Sequence, residues 1–304
     1  LAIDRERRYL FEREGAHLET RYALTLTWRL PTRSEQQLAK LVISNPREAE
    51  SDLRRHIRSF LDRIESLTGI LRGRFRIFRM TSEDLLTHYH ECLTGLPHRV
   101  RVPTIPMYLD AVLGHHDAIA GFIPQISGQF VQVVSFMHFP QESHPDILER
   151  LTSLPWPLTF ASRFIFLDPY ESVGLLGKYR RNWFQKRHGV GALIAESMGG
   201  QGSAFMDSDA LNMTADADAA VAEASSGAVR FGYYSPVVIL RHTSETSLRE
   251  MVKGTIEVIN NLGFVAQAET VNAMEALMGS LPGHSFENIR RPLIHTLNLA
   301  DLLP

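Results

Sequence analysis

The sequence predicts an α+β protein of two layered α/β subdomains, the second of them ferredoxin-like, and three observations support this class. The length of 304 residues suits about two ordinary domains, and 44% hydrophobic residues can fill two cores. Segments with the period of a strand alternate with amphipathic helical segments. Two strand–helix–strand units follow one another in the second half, as in a split β-α-β sheet. We therefore predict an N-terminal α/β subdomain over residues 1–128 and a ferredoxin-like subdomain over residues 129–304, with a helical insertion over about residues 169–224.

The first predicted subdomain contains a strand, a long helix, a second strand and another helix. Residues 17–30 alternate polar and apolar side chains and are rich in Thr, Leu and aromatic residues, which is typical of a half-buried strand. From Pro46 onward, apolar residues recur at three- and four-residue spacing, which predicts a long amphipathic helix. Residues 74–80 alternate again, and Thr81 with Asp84 forms a capping-box pattern that begins the next helix.

The second predicted subdomain begins after a turn at Ser127 and Gly128. A short helix near Pro145 connects its first two strands. A second helix, beginning after Thr243 and Ser244 and ending at Gly263, connects the last two. The four predicted strands are residues 130–139, 158–167, 229–240 and 264–269.

Composition narrows the function classes. The net charge of −2 gives no bulk electrostatic reason to bind nucleic acid, so any such binding must come from a local patch. The single cysteine excludes an internal disulfide and is ordinary in a reducing compartment. No apolar run approaches the roughly 18 to 20 residues of a membrane span, so we expect a cytoplasmic chain. Because it begins with Leu1 instead of methionine, we also expect a fragment of a longer protein.

Residues 172–181 have the vocabulary of a phosphate-binding loop but not its spacing. Gly174 and Gly177 are separated by two residues, where the loop needs four, and Tyr179 follows Lys178, where a Ser or Thr must hold magnesium. The sequence therefore predicts no catalytic residue and no cofactor-binding residue in this chain.

A basic and aromatic segment, residues 178–188, offers three interpretations. The cations can be a solvated face, a contact for an acidic protein or an anionic membrane, or, with the aromatic rings, a surface for single-stranded nucleic acid. We predict a protein or membrane contact and keep the nucleic-acid-binding module as an alternative. The predicted contact residues are Lys178, Arg180, Arg181, Trp183, Lys186 and Arg187.

A zinc site is the other alternative, although the sequence favours no metal ligand. His88 and Cys92 lie four residues apart on a predicted helix and share a face, and His115 with His116 could supply further ligands. A core His and Cys explains the pair as well, and only a coincidence of the fold would unite the four residues. A small zinc-dependent protein thus remains the second alternative function.

Several segments carry a family resemblance. They resemble the N-terminal region of the TrbE/CagE-type ATPases of conjugation and type IV secretion, and within that family the conjugative TrbE branch. The resemblance runs in the same order over nearly the whole chain, and Gly279–His284 is its most specific part. The segments are residues 101–114, 162–168, 179–187 and 206–223, and the stretch from Ala268 onward.

The resemblance implies a role that no spacing in this chain reveals. Members of this family carry their phosphate-binding loop, with ATP and magnesium, in a C-terminal RecA-like motor domain that this chain lacks. The resemblance therefore implies a non-catalytic platform that docks on the cytoplasmic face of the bacterial inner membrane and assembles into hexamers. The implied partners are inner-membrane proteins of the secretion apparatus, among them a small TrbD-like protein.

Overall fold

The computed structural model describes residues 18–28, 46–140, 143–178, 229–284 and 289–303, with the single residues 222 and 227. The chain divides into two compact units. We call residues 20–116 and 281–285 the helical unit, and residues 1–19, 117–280 and 286–304 the sheet unit.

The helical unit contains the helices α1 (Pro46–Arg72), α2 (Ser82–Thr94) and α3 (Leu109–Leu113). The first two confirm the predicted helices, and the predicted capping box at the start of α2 is present. The Asp84 amide donates to the Thr81 hydroxyl over 3.2 Å, and the Thr81 amide donates back to the Asp84 carboxylate over 3.1 Å. These hydrogen bonds, the side-chain bond from Thr81 above all, lower the pKa of Asp84.

The two strands predicted for the first subdomain are wrong within the described residues. Residues 18–28 have no secondary structure and pair with no other backbone, and residues 74–80 form a bend followed by unpaired chain. Alternating side chains specify an extended backbone with one apolar face, but a strand also needs a neighbouring backbone to accept its hydrogen bonds.

The sheet unit is built on seven strands, and every pair of neighbours is antiparallel. Their order is β1-β2-β3-β5-β4, with β6 also paired to β3 and β7 to β5. This mixture of a sheet with separate helices confirms the α+β class. The strands are β1 (Ala118–Ile119), β2 (Gln125–Ile126), β3 (Gln129–His138), β4 (Thr159–Phe166), β5 (Phe231–His242), β6 (Val265–Ala268) and β7 (Leu293–His295).

The helices of the sheet unit cover both faces of the sheet. They are a 3-10 helix (Glu149–Ser153), the helical residues 169–178, α4 (Glu245–Asn261), α5 (Ala273–Ser280) and α6 (Thr296–Asp301). On one face, Val134 and Phe136 of β3 pack with Leu248 and Ile259 of α4. On the other, Val131 of β3 packs with the α5 residues Ala276 and Leu277. Both faces of the central strands are therefore apolar, since successive side chains of a strand point to opposite faces.

Local signals explain where several elements begin and end. Ser127 and Gly128, with φ of 52° and 76°, form the predicted two-residue turn between β2 and β3. The Ser244 hydroxyl caps α4 by accepting from the Ser247 amide, and Gly263, with φ of 87°, follows its end as predicted.

The first crossover differs from the prediction. The helix predicted near Pro145 is a 3-10 helix that begins only at Glu149, because Asp146 adopts a left-handed φ of 63° that is incompatible with a helix. The four predicted strands all lie in one sheet, in the order β6-β3-β5-β4. The ferredoxin-like assignment and the boundary near residue 128 stay predictions, and most of the predicted helical insertion lies outside the described residues.

Candidate functional site

The glycine-containing segment that suggested a phosphate-binding loop is helical. Residues 169–178 form one continuous helix that includes Gly174 and Gly177. In a helix interior, backbone amides donate to carbonyls four residues earlier, so they cannot converge on a phosphate. Leu176 on this helix is buried with Val229 and Phe231.

The predicted basic contact is described only at its first residue. Lys178 is exposed at the last described position of that helix. Arg180, Arg181, Trp183, Lys186 and Arg187 lie outside the described residues, so their role as a contact stays a prediction.

The helical unit exposes much of its apolar surface. No side chain of α1 is buried among those described, from residue 54 onward, and its apolar stripe remains partly open, with Ile57 49% and Leu61 44% exposed. Elsewhere in the unit, Phe78 is 82% and Ile105 is 73% exposed. Soluble monomers seldom expose large contiguous apolar patches, and such surfaces commonly mark interaction sites.

An apolar pocket of about 370 Å³ lies within the helical unit. Trp28 packs edge-on against Phe60 of α1 with 6.0 Å between ring centroids, and the Arg63 guanidinium carbon lies 5.1 Å from the Trp28 ring. Leu86 and Tyr89 of α2 line another part of the pocket. Burial, followed by the influence of the nearby Cys92, raises the pKa of the Tyr89 hydroxyl.

The segment with the most specific family resemblance also reaches this pocket. Pro282 and Gly283 are among its lining residues, directly after the end of α5 at Ser280. The side chain of Leu281, between Ser280 and Pro282, is only 3% exposed. The pocket is therefore formed by side chains from distant parts of the sequence.

A histidine cluster lies at the end of α2. His90 on α2 is fully buried, and its Nε2 atom lies 2.7 Å from Nε2 of His116. One nitrogen from each of His90, His115 and His116 lies within 4.8 Å of the others. The ring of His98 is 3.9 Å from that of His90, centroid to centroid. Burial, and then the neighbouring His98 and His116, lower the pKa of His90.

The structure divides the residues of the sequence-based zinc hypothesis between two places. Cys92 Sγ lies 3.6 Å from His88 Nε2, so these two contact each other as their spacing implies. His115 and His116 instead gather around His90, which the hypothesis omitted. The available signal was density, because five of the 13 histidines fall between residues 88 and 116.

No helix among the described residues is long and apolar enough to cross a bilayer. This agrees with the absence of a long apolar run in the sequence.

The match to known proteins covers most of the chain. The model of the CagE, TrbE, VirB family, described as a component of the type IV transporter system, matches residues 70–182 and 200–290. The chain therefore belongs to this family.

Two relatives are conjugal transfer proteins. The conjugal transfer protein TrbE of Rhizobium radiobacter is 37% identical over the whole of this chain, which covers 38% of that protein. A probable conjugal transfer protein TrbE of Sinorhizobium fredii (strain NBRC 101917 / NGR234) is 39% identical over 80% of this chain and 36% of its own length. The chain thus spans well under half the length of both relatives.

Proposed function

We propose that this chain is the non-catalytic N-terminal platform of a type IV transport ATPase. It docks on inner-membrane proteins of the apparatus at the cytoplasmic face of the membrane and promotes oligomer assembly. A motor domain elsewhere in the whole protein hydrolyses ATP with magnesium. Family membership supports the setting of this proposal, and the exposed apolar surface of the helical unit is the observation that carries the platform role.

The contrast between the two units supports docking through the helical unit. In the sheet unit, α4 and α5 bury apolar side chains against the two faces of the sheet. In the helical unit, the apolar stripe of α1 and residues such as Phe78, Ile105 and Tyr108 remain exposed. Burying such surface against a partner would contribute about 25 cal/mol per Å² of apolar area.

Charged substitutions on this surface test the proposal. In donor cells, the double variant Phe78→Asp and Ile105→Asp should leave the inner-membrane fraction and lower the frequency of plasmid transfer. Both side chains are largely exposed, so circular dichroism and the melting temperature should change little. Val271→Asp is the matched control, because Val271 is 78% exposed but lies in the sheet unit.

The outcomes separate docking from folding. Loss of membrane association by the double variant, with Val271→Asp unaffected, supports the platform role. Normal membrane association and transfer by a folded double variant would overturn it. The purified 304-residue chain should also fail to bind ATP in equilibrium dialysis, and saturable binding would contradict the non-catalytic assignment.

A further inference from the structure

We propose that the helical unit binds one Zn²⁺ ion through His90, His115 and His116. This site goes beyond the platform role and does not depend on it. The three ligand nitrogens lie within 4.8 Å of one another. Tetrahedral zinc with bonds of 2.0–2.1 Å to nitrogen needs its ligands about 3.3 Å apart. His115 is exposed and His116 half-buried, so rotations of these two side chains can bring the atoms to that spacing.

The buried member of the cluster is already oriented as a metal ligand. His90 Nδ1 lies 3.2 Å from the backbone oxygen of Leu96 and donates to it in the tautomer that leaves a lone pair on Nε2. That Nε2 atom points to His116. Histidines that bind metals almost always donate their other ring nitrogen to a carbonyl or carboxylate in this way.

Packing alone accounts for only part of the cluster. The Leu96 contact and burial explain why His90 can be a neutral core residue. They do not explain why three further imidazoles converge on it, with ring centroids of His98, His116 and His115 at 3.9, 4.8 and 6.4 Å. Two protonated rings at such distances repel each other, whereas a cation binds several neutral rings together.

The donor atoms select the class of metal. Imidazole nitrogens suit Zn²⁺ and its first-row neighbours, while Mg²⁺ and Ca²⁺ prefer oxygen ligands. Three imidazoles leave a fourth position, which water or the nearby His98 completes. The bound ion would link the end of α2 to the chain that follows α3, and would so stabilise the helical unit.

Metal content of the 304-residue chain tests the site directly. After chelator treatment, the protein is titrated with ZnCl₂ against a chromophoric chelator, and bound metal is counted by mass spectrometry. We expect one Zn²⁺ per chain. The variant His115→Ala with His116→Ala should bind zinc at least about tenfold more weakly. Neither residue is buried, so the variant should keep its circular dichroism spectrum.

The matched control is His88→Ala with Cys92→Ser. These residues lie on the same helix but form their own pair, so this variant should bind zinc as tightly as the wild type. Equal zinc binding by the wild type and the His115, His116 variant would overturn the proposal. Loss of zinc in the control alone would move the site to His88 and Cys92, which also overturns it.

Spectroscopy gives a readout that does not depend on affinity. In ¹⁵N-histidine-labelled protein, one equivalent of Zn²⁺ should shift the Nε2 resonance of His90, while Nδ1 keeps its proton. A Co²⁺-substituted protein should lack a thiolate-to-metal charge-transfer band, and the appearance of that band would assign Cys92 as a ligand. The double variant Phe78→Asp and Ile105→Asp should still bind zinc, which separates failure of this proposal from failure of the platform role.

Discussion

A buried carboxylate holds the edge of the sheet unit together. Glu269, 3% exposed, directly follows β6 and accepts from the Arg290 guanidinium over 3.1 and 3.3 Å. Gln132 of β3 donates to the backbone oxygen of Glu269, and the Ser235 hydroxyl donates to that of Arg290 over 2.8 Å. The ion pair thus connects three strands to the segment that precedes β7.

We predict unequal costs for breaking this pair from its two sides. Arg290→Met leaves a charged carboxylate buried and should lower the free energy of unfolding by about 3 kcal/mol. Glu269→Gln should cost only about 1 kcal/mol, because the Arg290 side chain is 32% exposed and can reach water. Hydrogen exchange of β3 and β5 amides measures both, and Arg249→Met, at an exposed pair with Glu245, is the control with an expected cost below about 0.5 kcal/mol. Equal costs for the two Glu269–Arg290 variants would contradict this account.

Tyr234 makes the sheet unit sensitive to alkaline pH. Its hydroxyl donates to the Leu302 carbonyl over 3.3 Å and accepts from the Ser162 hydroxyl over 3.2 Å. Burial raises the pKa of Tyr234 to about 12, against an ordinary value of 10.0. The folded state therefore favours the protonated phenol, and its contribution to stability is complete below pH 10 and lost as the pH rises towards 12.

The expected loss is up to about 3 kcal/mol between pH 10 and 12. Tyr234→Phe should be about 1 kcal/mol less stable at pH 8, because it lacks the hydroxyl, but should lose less stability above pH 10. Denaturant unfolding at pH 8, 10 and 11 compares the two proteins. Parallel curves for the wild type and Tyr234→Phe would show that other groups cause the alkaline loss.

At the scale of single elements, two helical glycines should respond oppositely to alanine. A Cβ at Gly174 would meet nothing within 4 Å, whereas a Cβ at Gly254 in α4 would lie 2.6 Å from Cη2 of Trp156. The Trp156 indole also donates to Thr255 over 3.2 Å, which limits how far the ring can move.

Gly174→Ala should raise stability by about 0.5 to 1 kcal/mol, because alanine favours helix more than glycine does. Gly254→Ala gains the same propensity but forces the indole aside at a cost of about 1 to 3 kcal/mol, so the net effect should be destabilising. Thermal unfolding of the two variants checks both signs. Destabilisation by Gly174→Ala would mean that this glycine has a role beyond the helix.

The elements that the sequence predicted well are those with a local signal. The strands β3 to β6 have apolar runs bounded by turns, and α2 has a capping box, so each was placed within a few residues. Residues 18–28 carry the same alternation without a partner, and pairing is a property of the fold. The two-residue strands β1 and β2 were predicted only as extended chain, since they are too short for a periodicity.

The histidine cluster shows the same limit at a site. The i, i+4 rule correctly placed His88 beside Cys92 on one helical face. The contact of His90 with His116 joins residues 26 positions apart, and no spacing within a helix predicts it. The pocket likewise combines Trp28, Phe60 and Pro282, which are brought together only by tertiary structure.

At the scale of the whole molecule, an overall charge near zero makes a local basic segment the main electrostatic handle for association. The net charge is −2, while residues 178–187 contain five Lys or Arg residues and no acidic residue. Each basic residue near an anionic membrane surface contributes about 1 kcal/mol, and salt screens that attraction beyond about 10 Å at 0.1 M. We therefore predict that this segment steers the chain to the membrane or to an acidic partner.

Charge reversal tests this prediction in two pairs, Arg180→Glu with Arg181→Glu and Lys186→Glu with Arg187→Glu. Each pair should leave the melting temperature nearly unchanged but weaken binding to vesicles containing anionic lipid or recruitment to the secretion apparatus, as added salt does for the wild type. Arg150→Glu with Arg230→Glu, two exposed positions in the sheet unit, makes the same change of net charge and should have little effect. If a reversed pair melts far below the wild type, the cations stabilise the fold by pairing with carboxylates. If it folds, localises and supports transfer as the wild type does, the segment is a solvated face with no role in docking.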